Sequence, residues 1–286
     1  MPEHRDLLFL LKCVLENNVF EFNGQYFRQI IGAAMGAVPS PEICDIRMYE
    51  LTKSIISQYK HNQKILFHGR YRDDGFLIFN GNRSEAEEFF HIGNSIHPLL
   101  KFTYSISDTS MPFLDTETYK GNRFKNHGIL DIKTYIKPTN TFQYLQRSSA
   151  HNDAVFTGFI KGECIRHARN TSNKDVLHTE LCSFKSQLTK RGYSEKEINP
   201  IIKEVYAFDR QQLLIPKDNK IKIKSPPNVL VTKYDPRIKG LKKRLMKHWN
   251  VLKKNSRCTQ IFKSEPIIGF SKHRNIGGII TSSLLQ

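Results

Sequence analysis

The sequence predicts an α+β fold: antiparallel strands with packed helices over 1–142, a helical unit over 143–209, and a basic linker and tail over 210–286. Three observations predict it. Asn23-Gly24 separates Val19-Phe20-Glu21-Phe22 from Gln25-Tyr26-Phe27-Arg28-Gln29, and Asn-Gly suits the two-residue type I′ hairpin turn. Tyr71-Arg72-Asp73-Asp74-Gly75 stands between the apolar runs Ile65-Leu66-Phe67 and Phe76-Leu77-Ile78-Phe79, which reads as a second hairpin. Beyond Phe142 the pattern becomes helical.

Taken in order, Leu7, Leu8, Leu10, Leu11, Val14 and Leu15 recur at helical spacing, so residues 5–16 form an amphipathic helix that Asn17-Asn18 ends. The first hairpin follows, then a glycine-bearing segment, then a helix over 41–59 and the hairpin of the paired acids. Ser84-Glu85-Ala86-Glu87 reads as a capping box opening a helix through about Ile92. Strands are predicted over 101–107, 113–119 and 129–136, with turn residues at Gly121-Asn122 and 126–128. Short helices are predicted over 152–160, 162–169, 174–190 and 194–209. Ser194 and Glu197 form a further capping box, and His151 starts or caps a helix. Residues 216–233 are rich in Lys, Pro and Asn, as a linker or exposed strands would be. A basic helix around Trp249 is predicted over 241–254.

At 286 residues the chain can bury a substantial core as one large or two small domains. Its 39% hydrophobic content is far from that of disorder. No stretch approaches the roughly 20 apolar residues that span a bilayer, and Met1-Pro2-Glu3-His4-Arg5-Asp6 lacks the order of a secretory signal. The five cysteines are dispersed, without a C-x-x-C pair, which argues for reduced thiols in the nucleus or cytoplasm and against zinc. Neither Ser148-Ser149 nor any cysteine sits in a nucleophile-elbow context, so hydrolase chemistry finds no support. The net charge of +17 is uneven: residues 210–286 hold 18 Lys and Arg against 3 acids, the first 209 hold 26 against 24. Such a tail attracts a polyanion by releasing condensed counterions; a solvated basic tail that aids solubility is the alternative.

Adjacent acids at a hairpin tip can hold a divalent cation, because carboxylate oxygens are the natural ligands of Mg²⁺. A solvated turn is the alternative, since Asp and Gly are common turn residues. Upstream, Gln29-Ile30-Ile31-Gly32-Ala33-Ala34-Met35-Gly36 runs to Pro39 and Pro41, and its glycines permit positive φ or close backbone approach.

This order, with Phe113-Leu114-Asp115 after it, resembles the palm of reverse transcriptases, in particular the Penelope-like retroelement branch, which is related to telomerase. Further matching segments are 20–24, Lys137-Pro138-Thr139, 144–151 and Arg191-Gly192-Tyr193. The resemblance covers nearly the whole chain and is least specific over about 212–265. It implies a partial palm over 1–142 and a thumb-like, helix-turn-helix-like unit over 143–209. It implies RNA-directed DNA polymerisation with RNA template, DNA primer and deoxynucleotides as partners and no membrane. Asp73 and Asp74 become the catalytic, metal-ligating acids for Mg²⁺ or Mn²⁺, Asp73 the direct ligand. Gln29, Gly32, Met35, Gly36 and Tyr71 become nucleic-acid- or nucleotide-binding, although Met35 could equally fill a gap in the core.

The chain departs from the family pattern at Arg72 and Gly75, where bulkier apolar residues are usual, and at Ala33, where Thr is usual. Arg72 is expected to pair with one of the two acids. The family's first catalytic acid lies upstream of the segments present here, and Asp6 opens a helix instead. The expectation is therefore a truncated polymerase with weak metal affinity, little activity alone and no C-terminal endonuclease after the segments 265–270 and 275–277. Two rivals stand beside it: a non-catalytic nucleic-acid-binding remnant, and a metal-dependent nuclease using Asp73 and Asp74 with Asp115.

Overall fold

The computed structural model describes residues 3–216, 229–235, 240–262 and 265–271. It is a mixed α+β chain in two compact units, Met1–Leu114 and Asp115–Gln286. No helix among the described residues is long and apolar enough to cross a membrane.

The first unit opens with α1 (His4–Glu16), which has no buried residue. The side chains of Asn17 and Asn18 donate to the carbonyls of Cys13 and Leu15, satisfying acceptors that a helix end leaves open. Strands β1 (Val19–Phe22) and β2 (Gln25–Arg28) pair antiparallel in full register. Asn23 and Gly24 take φ of 52° and 74°, the pair of positive angles that a type I′ turn requires.

Helix α2 (Ser40–Gln58) starts behind Pro39, and a 3₁₀ turn at Asn62–Lys64 leads into β3 (Ile65–Tyr71). Its antiparallel partner is β4 (Asp74–Phe79), with an irregularity between Ile65 and Phe67. Helix α3 (Arg83–Ile96) and strand β5 (Ser110–Phe113) complete the unit. Its core is Ile55, Tyr59 and Phe89, with Ile65, Leu77, Phe79 and Phe102 packed on them. The buried Tyr59 hydroxyl donates to the Glu85 carbonyl at 2.6 Å. Burial, then Glu88 and Glu85, push its pKa up to about 12.

Two sequence expectations fail here, each because another side chain takes the backbone groups concerned. The capping box at α3 is Asn82 with Glu85, not Ser84 with Glu87: Asn82 Oδ1 accepts from the Glu85 amide at 2.9 Å, and Glu85 returns the bond at 3.1 Å. Asn caps as well as Ser, and Glu85 is also held by Lys64 at 2.6 Å. Residues 101–107 do not form a strand, because the Asn94 amide takes both the N–H and the C=O of Phe102.

In the second unit β6 (Thr116–Tyr119) and β7 (Asp131–Thr134) pair antiparallel around α4 (Asn122–His127), which ends on Gly128 at φ 69°. Then come α5 (Asp153–Asn170), α6 (Lys174–Lys190), α7 (Glu195–Tyr206) and α8 (Arg210–Leu214). The helices predicted over 152–160 and 162–169 are one helix, α5. Its buried stripe of Phe156, Ile160, Cys164 and Ala168 runs through without a break. Gly158 and Gly162 face open space, so each costs about 1 kcal/mol in propensity without ending the helix. His151 does not cap α5; the Asn152 side chain does, accepting from Ala154 and Val155. The core gathers these residues with Leu181, Phe184, Leu188, Tyr193, Ile198, Ile201 and Val205.

Part of the basic tail is structured. Strands β8 (Val229–Lys233) and β9 (Ile267–Ser271) pair in parallel, with α9 (Leu241–Lys253) and α10 (Ser256–Ile261) between them in sequence. A parallel pair needs such a long connection. Most of the predicted linker (217–228) and the segment 275–277 lie outside the described residues.

Candidate functional site

The hairpin tip is built by a two-residue turn. Tyr71 pairs with Asp74, which leaves Arg72 and Asp73 as the turn itself. Arg72 takes φ 55°, an uncommon conformation for a side chain with a Cβ. What offsets that strain is ionic. Arg72 Nη1 donates to Asp45 Oδ2 at 2.6 Å, and Arg70 Nη1 to Asp45 Oδ1 at 2.8 Å. Arg70 also reaches the Asp45 carbonyl and the Arg72 carbonyl, at 3.0 and 2.5 Å. One carboxylate on α2 thus clamps both arginines of the tip, with Glu42 3.9 Å from Arg72.

Arg72 therefore does not pair with either acid of the tip, contrary to the sequence expectation. Asp45 outcompetes them because it engages two guanidinium groups at once. Asp73 and Asp74 are exposed, and among the described residues neither carboxylate has a hydrogen-bond or ion-pair partner. Strand alternation separates their surroundings. Leu77 and Phe79 enter the core, so Asp74 shares the other face with Phe76 and Ile78. On that side the Phe76 ring lies 5.4 Å from Phe113 and 6.4 Å from Phe67, with Tyr71 exposed opposite Asp74.

The glycine segment lies between β2 and α2, without regular structure. Gly32 and Gly36 adopt φ of 84° and 91°, so both need glycine. Gln29 Nε2 donates to the Ile31 carbonyl at 2.9 Å, which ties the segment to itself. Met35 is fully exposed, along with Ile30, Ile31 and Val38. The core alternative for Met35 is excluded. Asp115 lies in the turn after β5, and Leu114 beside it takes φ 53°. No group of three or more His, Cys, Asp or Glu positioned to hold a metal occurs among the described residues.

In the second unit, α6 and α7 are joined by Arg191-Gly192-Tyr193-Ser194, with Gly192 at φ 85°, a helix–turn–helix. Two segments distant in sequence meet at this turn. The Arg147 amide donates to the Arg191 carbonyl at 3.0 Å, the Tyr193 hydroxyl to the Leu145 carbonyl at 2.9 Å, and Arg191 to the Gln143 side chain. Arg147 then forks to Glu197 Oε1 and Asp153 Oδ1, both at 2.8 Å, with its guanidinium 4.4 Å over the Phe156 ring. The Ser194 backbone, Arg147 and the Ser194 hydroxyl hold the Glu197 carboxyl down to about 2. Every acid of α7 is engaged: Glu195 by Lys185 at 3.1 Å and Glu204 by Lys161 at 2.6 Å.

A buried polar network fastens β7 to this unit. His167 Nδ1 lies 2.9 Å from Glu180 Oε2 and 3.1 Å from Thr134 Oγ1. The Thr171 hydroxyl and the Thr134 amide donate to Glu180 at 2.8 and 3.1 Å. Burial opposes the Glu180 charge, but the bonds from His167, Thr171 and Thr134 outweigh it and leave its pKa below the ordinary value. Nearby, Asp131 accepts from Arg123 Nε at 2.7 Å and from Ser172 at 2.8 Å. Sequence reasoning missed both clusters. At the helix–turn–helix, by contrast, Leu145, Arg147, Arg191 and Tyr193 lie in two segments singled out by resemblance, and Ser194 and Glu197 in the predicted capping box.

No curated protein and no solved structure matches the chain. Residues 143–203, which span α5, α6 and most of α7, are similar to the animal helix-turn-helix domain.

Proposed function

We propose that the chain is a nucleic-acid-binding protein derived from a reverse transcriptase of the Penelope-like branch. The helical unit over 143–203 holds nucleic acid, and the hairpin of the first unit offers Asp73 and Asp74 to a primer end. The reading is carried by the tip itself: two exposed acids without a partner among the described residues, beside an arginine that is drawn away to Asp45. Sequestering Arg72 leaves the pair un-neutralised, as a cation site needs.

Two carboxylates suit Mg²⁺ or Mn²⁺, since Mg²⁺ takes one or two carboxylates, substrate phosphates and several waters. When bound, such a cation orients the attacking hydroxyl and offsets charge on the triphosphate. The chain's part is to keep Asp74 on the face away from the core and Asp73 at the apex, with Tyr71 beside them. With no third ligand among the described residues, the pair alone binds the cation weakly.

The test is metal-dependent primer extension on an RNA template, with Asp73→Asn as control. Extension that disappears in the variant supports the polymerase reading. The helix-turn-helix similarity favours a second reading, nucleic-acid binding without catalysis; tight binding with no extension supports that one. A chain that neither binds nor extends refutes both.

A further inference from the structure

Helix α9 with its C-cap carries four of its five described cations on one side, and the exposed Lys242 lies toward the other. At 3.6 residues per turn, Lys243, Arg244, Lys247 and Lys254 fall within an arc of about 100°; Lys254, the C-cap, keeps helical angles. The four side chains are exposed and form no ion pair among the described residues, and α9 contains no acid. On the opposite side Trp249 is only 7% exposed, with its ring 5.5 Å from Phe262 of the segment after α10.

We propose that the outward face of α9 is a second phosphate-binding surface, gripping a nucleic-acid backbone without reading sequence. The inference rests on the reading that the chain handles nucleic acid, and adds a contact separate from the helix-turn-helix unit. Length and charge both fit. From Lys243 to Lys254 the helix rises about 16 Å at 1.5 Å per residue, which matches about five phosphates at 3.4 Å each along one strand. A basic helix can instead lie on an anionic membrane, but it then needs a free apolar face to insert. Here Trp249 is buried against Phe262, Leu241, Leu245, Met246 and Leu252 are half-buried, and Val251 is the one large apolar side chain of α9 that is exposed.

The experiment uses the full chain and a 20-base-pair duplex of random sequence, with affinity measured across a salt series. In the quadruple variant Lys243→Gln, Arg244→Gln, Lys247→Gln, Lys254→Gln, the slope of log K against log salt should shrink by about 3.6, since each lost phosphate contact removes about 0.9. A charge-matched control, Lys12→Gln, Lys53→Gln, Lys125→Gln, Lys137→Gln, should keep most of the slope. Circular dichroism checks that both variants fold. Wild-type binding with an unchanged slope in the quadruple variant overturns the α9 surface and leaves the proposed function standing. Equal losses in both variants overturn it as well. Phosphatidylserine vesicles that bind as tightly as the duplex, and lose binding in the same variant, assign α9 to membranes instead. Absence of any wild-type binding to duplex or to single-stranded RNA overturns the parent reading too.

Discussion

Replacing Arg147 with Ala should loosen the helical unit from one side. Three interactions disappear together. The bond to Glu197 joins two groups about one-third exposed and is worth about 1 kcal/mol after solvent screening. The bond to Asp153, whose side chain is 84% exposed, adds about 0.3 kcal/mol. The guanidinium stacked 4.4 Å over the buried Phe156 contributes about 1 kcal/mol. The sum is about 2 kcal/mol, or about a thirtyfold change in an equilibrium constant at 1.36 kcal/mol per decade. Amide hydrogen exchange reads this locally, because opening of one cooperative unit is resolved from the rest of the chain. Protection in α5 and α7 should fall about thirtyfold, while β3, β4 and α3 in the first unit keep theirs. Arg147→Lys should lie between, since an ammonium lacks the rigid planar fork of the guanidinium and cannot stack on Phe156 in the same way. A loss under about threefold in Arg147→Ala would refute the reasoning, as would an equal loss in the first unit.

Acid should weaken the same region. The Glu197 carboxyl is depressed from 4.5 to about 2 in the folded chain, so its contribution is complete above the unfolded value and fades as pH falls from about 4.5 to about 2. Glu180 shifts in the same direction; Glu197→Gln should flatten the acid limb of a helicity titration. Ile198→Ala empties a fully buried position and should cost about 2–5 kcal/mol in denaturant unfolding. Among the thiols, Cys44 and Cys182 are exposed and should label with a maleimide at neutral pH. Cys164, buried with its pKa pushed up to about 12, should stay unlabelled until the unit unfolds.

Much of this architecture was readable in advance where one local rule decides. Asn23-Gly24 dictates its turn whatever surrounds it, and Ser194 with Glu197 forms the predicted capping box. The paired acids flanked by apolar runs gave the second hairpin, with the turn falling on Arg72 and Asp73 and with Asp74 opening β4. The misses arise where a distant side chain overrides a local rule. Asn94 captures the backbone of Phe102 and denies it a strand partner. Asp45, about a helix turn and a half into α2, draws Arg72 away from its neighbours. Helix α5 read as two shorter helices because a sequence does not say that Gly158 and Gly162 face open space while the buried stripe runs on. The network of His167, Glu180, Thr134 and Thr171 was invisible for the same reason: four residues spread over 134–180 meet only after β7 docks on α5 and α6.

The side-by-side alignment of β8 and β9 has a consequence for synthesis. Two strands running the same way cannot close through a tight turn, so Val229–Lys233 has no mate until Ile267–Ser271 has left the ribosome. Helices α5 to α7 have by then emerged in full, and contacts near in sequence form first. The basic helix between the strands thus gains its final mounting last. Until Ile267–Ser271 has emerged, that helix is held by its own packing alone and hangs from a strand not yet joined to β9.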